Sequence, residues 1–123
     1  MTTSKGLRDY LRRVFPENAE QVAEVEREWP GEQGVNTYTY ISEVFWWGIF
    51  QPGIANQDRE QVVKCFRAME DFLASEDSDL RDAAGIRVTP YLADPALEEL
   101  VAAHAGLHLQ EDLLRVGGSL PGL

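Results

Sequence analysis

The chain has a single cysteine, Cys65, in 123 residues. An intramolecular disulfide is therefore excluded, and so is a metal site built from cysteines alone. One thiol suits a reducing compartment. Bases are also scarce: 11 Lys and Arg stand against 21 Asp and Glu, a formal net charge of −10. Such a surface disfavours nucleic-acid phosphates and anionic lipid, so neither nucleic acid nor membrane is expected as a partner. Long apolar runs are missing. The longest, Val44 to Phe50, is far too short to span a bilayer. The opening stretch MTTSKGLRDYLRRVF lacks the apolar core of a signal peptide. A soluble cytoplasmic chain is the expectation. No P-loop, no Rossmann glycine pattern and no G-x-S-x-G occurs.

What is present is an ordinary globular composition, 44% hydrophobic and 26% charged. At this length roughly 65% of the unfolded chain's surface disappears on folding, so a real core can form. The charge is uneven. Residues 1–30 carry five bases and six acids, and the rest carries six bases and fifteen acids. The basic positions Arg8, Arg12 and Arg13 share one short helix, too small a patch for a nucleic-acid footprint.

Periodicity predicts helices throughout. Ser4 can cap a first helix over about 5–15, with Leu7, Leu11, Val14 and Phe15 on its apolar face. Pro16 starts a second, which carries Val22, Val25 and Trp29 and ends at Pro30-Gly31. The segment TYTYISEVFWWGIFQPG has strand propensity at Tyr38, Tyr40, Ile41 and Val44. Strict alternation fails at Phe45-Trp46-Trp47, so a helix over about 38–50, stopped by Pro52-Gly53, is the preferred reading. Asn56 is the expected cap of a long helix with Val62, Phe66, Met69 and Leu73 in its stripe. Asp77 or Ser78 caps a short helix to about Ile86, and Asp94-Pro95 opens another over 95–104. Gly106 breaks it before a last piece at 107–115. The expected fold is all-α, a single-domain irregular bundle of five or six helices over 1–116, with a flexible tail at 117–123. Its core is expected around Phe66, Met69, Phe72, Leu73, Val44, Phe45 and Leu100.

The most informative stretch is Asn56 to Val88. Six acids (Glu70, Asp71, Glu76, Asp77, Asp79, Asp82) fall within thirteen residues, with Arg81 the only base among them. Carboxylates this close repel one another in the folded state. Either they form a solvated, solubilising face or the chain uses their field. Glu70 and Asp71 do not make an acid–base pair, because adjacent helix positions diverge by about 100°. The aromatic cluster of Tyr38, Tyr40, Phe45, Trp46, Trp47 and Phe50 belongs mainly to a core. Two adjacent tryptophans on a helix cannot both face that core, so one is expected near the surface as a candidate binding anchor.

His104 and His108 stand four apart, with Glu111 or Asp112 one turn on as possible oxygen ligands. A zinc site needs three or four ligands, Gly106 interrupts the helix, and Ala105 stands where H-E-x-x-H requires glutamate. Two helix-end histidines are the plainer reading, and no metal or other cofactor is expected. Cys65 falls mid-helix in the apolar stripe, where a small buried hydrophobe fits better than a reactive thiolate. Glu43, inside the aromatic segment, requires a partner or a proton if it is buried.

Three segments resemble a poorly characterised bacterial family of short helical proteins. They are Tyr40-Ile41-Ser42-Glu43-Val44-Phe45, then 66–75 (FRAMEDFLAS), then Asp79-Leu80-Arg81-Asp82-Ala83-Ala84, followed by the helix around Leu97 to Val101. Members of this look are suspected immunity proteins of bacterial toxin systems. The resemblance implies a non-catalytic chain that binds and neutralises a cognate toxin domain, and it carries over no catalytic residue. On that expectation Glu70, Asp71, Glu76, Asp77, Asp79 and Asp82 face a basic partner, and Trp46 or Trp47 supplies the apolar anchor. The competing expectations are a small metal-dependent enzyme using His104, His108 and Glu111, and a helical adaptor module.

Overall fold

The computed structural model describes residues 2–28 and 36–116. Every regular element among them is helical, which bears out the all-α expectation. Seven helices are present where five or six were expected. They are α1 (Leu7–Val14), α2 (Ala19–Glu28), α3 (residues 37–55), α4 (Arg59–Leu73), α5 (Ser78–Arg87), α6 (Glu98–His104) and α7 (Leu107–Arg115). Short 3₁₀ turns at Pro16–Asn18 and Pro95–Leu97 lead into α2 and α6, and a single helical turn, Thr89–Leu92, follows α5. The expected tail at 117–123, Trp29 and the Pro30-Gly31 stop lie outside the described residues.

Helix α3 departs from expectation. Residues Tyr40–Phe50 form a π-helix, flanked by α-helical Thr37–Thr39 and Gln51–Ala55. The buried side chains explain the wide turn. Ile41, Val44, Phe45, Trp46, Ile49 and Phe50 are all buried. Ile41 and Phe50 are nine residues apart, about two and a half α turns, so an ordinary helix would put them on opposite faces. An i→i+5 helix aligns positions four, five and nine apart, which brings Ile41, Phe45, Trp46 and Phe50 to one side. The same geometry carries the chain past Pro52-Gly53, which was expected to stop it. In an α-helix the proline ring meets the carbonyl four residues back; the wider turn before Pro52 relieves that clash. Gly48 lies where α2 crosses: a Cβ there would sit 3.4 Å from Gln21 Cγ and 3.1 Å from the Glu43 carbonyl oxygen.

Two expected caps are replaced. Ser4 does not cap α1; its N-cap is Gly6, and the Ser4 hydroxyl donates to Asp77 instead (2.6 Å). Asn56 does not cap the long helix; its backbone closes the end of α3 on the Pro52 carbonyl. Asp58 caps α4, accepting from the Gln61 N–H at 3.2 Å. Asp77 and Asp94 cap as expected.

The core lies where α3 and α4 meet. Val44, Phe45, Phe66, Met69, Phe72 and Leu73 are buried there, and Leu100 packs against them partly buried. Ring contacts run without a break from Tyr10 through Phe72, Phe45, Phe50 and Phe66 to His104, with centroids 5.1–5.6 Å apart. Cys65 is fully buried, and burial pushes its thiol pKa up, which keeps it a protonated packing group.

Candidate partner-binding surface

The π-turn sets the two tryptophans apart. Trp46 points inward, 3% exposed, against Phe50 at 5.3 Å. Trp47 points outward, 46% exposed. The turn Thr89–Leu92 brings Tyr91 to both. Thr89 and Leu92 are buried and anchor it, and the Tyr91 N–H donates to the Val88 carbonyl at 3.0 Å. Tyr91 stacks nearly parallel on Trp46 (5.0 Å, 10°) and meets Trp47 edge-on (5.3 Å, 72°). Trp47 and Tyr91 thus form an exposed aromatic pair on a rigid base. Tyr91 went unnoticed in the sequence because it is isolated between prolines, with no periodic neighbours.

The six acids separate into two groups. Glu70 accepts the N–H groups of His108 and Leu109, both at 2.9 Å, and so caps α7 from another helix. Asp71 accepts the Tyr10 hydroxyl at 2.7 Å. Burial, and then this bond, raises the pKa of the Tyr10 phenol. Asp77 caps α5 through its Oδ1 and accepts the backbone N–H and hydroxyl of Ser4 on its Oδ2. The Ser4 hydroxyl bond, then the Ser4 N–H, holds the Asp77 pKa below its ordinary value. These three carboxylates bind the fold together. Glu76, Asp79 and Asp82 are exposed. Asp79, Asp82 and the exposed Ile86 follow at spacings of three and four, on one side of α5. Helix α5 runs directly through Val88 into the turn that holds Tyr91.

The histidines do not come together as a metal pair. His104 stacks on Phe66 at 5.4 Å, while His108 Nδ1 lies 3.3 Å from Glu70 Oε1. Among the described residues no three His, Cys, Asp or Glu side chains converge on a common point. Glu43 is exposed, so the question of a buried carboxylate does not arise there. No helix among the described residues is long and apolar enough to cross a membrane.

No family model, curated protein or solved structure matches the chain.

Proposed function

We propose that this chain is a non-catalytic binding protein of the immunity type, which neutralises a cognate, basic bacterial toxin domain in the cytoplasm. The observation that supports it is the exposed Trp47–Tyr91 pair. Large aromatics held rigidly at a surface lose little entropy on docking, and residues of this kind carry most of the energy at protein interfaces. Exposed acids on α5 steer a cationic partner. With Glu70, Asp71 and Asp77 engaged in contacts within the chain, Asp79 and Asp82 on α5 take that role, with Trp46 supporting Tyr91 from beneath. Complementary charge of this sort acts mainly on the association rate and its salt dependence.

The test is rescue from toxicity. The chain is co-expressed with each toxin-like domain encoded by the genes that flank its own, and any pair that forms is purified and titrated. Protection of cells and a stoichiometric complex are expected. Trp47→Ala should weaken the complex by about 2 kcal/mol or more. Asp79→Asn with Asp82→Asn should slow association and flatten its salt dependence. No protection by the unaltered chain, or full protection by the triple variant, ends this reading.

A further inference from the structure

A depression of about 390 Å³, whose lining includes neither Trp47 nor Tyr91, lies between the end of α3, the start of α4 and α6. Ile54, Val62, Leu97 and Leu100 form its walls, and Arg59 and His104 are its charged or titratable members. Gln57, in a left-handed conformation (φ 55°), makes the turn that separates α3 from α4 and opens the space between them. The size falls within the ordinary range of small-molecule sites, and so does the pattern of apolar walls with few polar groups.

Charge decides the ligand. This is a chain with ten more acids than bases, yet among the described residues no acid lines the depression. Asp58, the nearest acid before Arg59, is turned to the Gln61 N–H as the cap of α4. Glu60 lines the neighbouring side of α4. Arg59 itself makes no ion pair among the described residues. His104 is held in place by its stack on Phe66. Arg59, which lines both this recess and the adjoining depression on α4, matches a carboxylate with an apolar tail, because its planar fork donates to both oxygens while the tail replaces water over the leucines. We propose that this depression binds a small apolar carboxylate of the medium-chain fatty-acid type, with its head group on Arg59 and its tail between Val62, Leu97 and Leu100.

Titration of the full chain with sodium decanoate, below the concentration at which it forms micelles, tests this by calorimetry and by amide chemical shifts. Saturable one-to-one binding is expected, with shifts confined to residues 54–62 and 97–104. Arg59→Gln should weaken it about tenfold, the loss of one charge-assisted hydrogen-bonded contact. Decanol, which keeps the tail without the charge, should be weakened by a similar factor. Leu100→Glu should abolish binding, and circular dichroism verifies that each variant is folded. The proposal is overturned by non-saturable binding, by shifts centred elsewhere, or by equal affinity for decanoate in the Arg59→Gln variant. Concentration-dependent dimers that exclude decanoate would assign the recess to a second copy of the chain and overturn it too. These outcomes do not bear on toxin binding, which is assigned to other residues.

Discussion

The carboxylate of Glu70 occupies the space that a side chain on Gly106 would need: a Cβ at residue 106 would fall on the Glu70 carboxylate. The two residues therefore act as one device. Glycine leaves room for the acid, and the acid then satisfies the first free N–H groups of α7.

Removing the acid should cost stability. Glu70→Ala is expected to lower it by about 1–2 kcal/mol, the range for a lost N-terminal cap. Gly106→Ala should cost a comparable amount by displacing the same side chain. The double variant should cost clearly less than the sum, because both changes remove one interaction. Urea denaturation of the three variants measures this, and strict additivity would refute the coupling.

Asp77 predicts a response to acid. Its folded pKa lies below its ordinary value of 3.8, chiefly through the Ser4 hydroxyl. The stabilisation it confers is complete above the unfolded pKa and is lost as pH falls through the folded one. The urea midpoint should therefore decline as the pH falls below Asp77's ordinary value of 3.8, and Asp77→Asn should flatten part of that decline. Tyr10 works with the opposite sign. Its raised pKa means that its contribution is present below its unfolded value of 10.0 and is lost as pH rises through the folded value. Absorbance titration at high pH should show tyrosine ionising above the ordinary range, and Tyr10→Phe should reduce that late step.

The two tryptophans should part company under substitution. Trp46→Ala removes a buried indole and should destabilise by about 3–5 kcal/mol. Trp47→Ala should change stability by less than about 1 kcal/mol, since its indole is half in solvent. Thermal unfolding distinguishes them; equal losses would mean that Trp47 is structural.

Thr89 is fully buried and its hydroxyl has no hydrogen-bond partner among the described residues. Thr89→Val keeps the shape and removes the unsatisfied group, so the variant should be more stable by about 1 kcal/mol. A lowered melting temperature would show that the hydroxyl is satisfied in solution.

Local signals were legible in the amino-acid order. The helix over 107–115, the Asp94-Pro95 start and the Asp77 cap follow from periodicity and short-range capping, and they stand as Leu107–Arg115, Pro95–Leu97 and Ser78–Arg87. The opposed fates of Trp46 and Trp47 follow from adjacent positions on one helix. What escaped depends on contacts distant in sequence. Nothing near Glu70 announces that its acceptor role is spent 38 residues away, nor that Ser4 turns to Asp77 across 73 positions. The passage of α3 through Pro52-Gly53 escaped for a related reason. Local rules assume an α period, and the demand to bury both Ile41 and Phe50 changed the period itself.

The stacking of Tyr91 between a sheltered indole and a solvent-facing one gives the molecule an optical reporter at the proposed docking face. A protein settling on that face would cover Trp47 and shield it from acrylamide quenching. Comparing the wild type with Trp47→Phe would isolate that signal, so occupancy could be followed by fluorescence without attaching a dye.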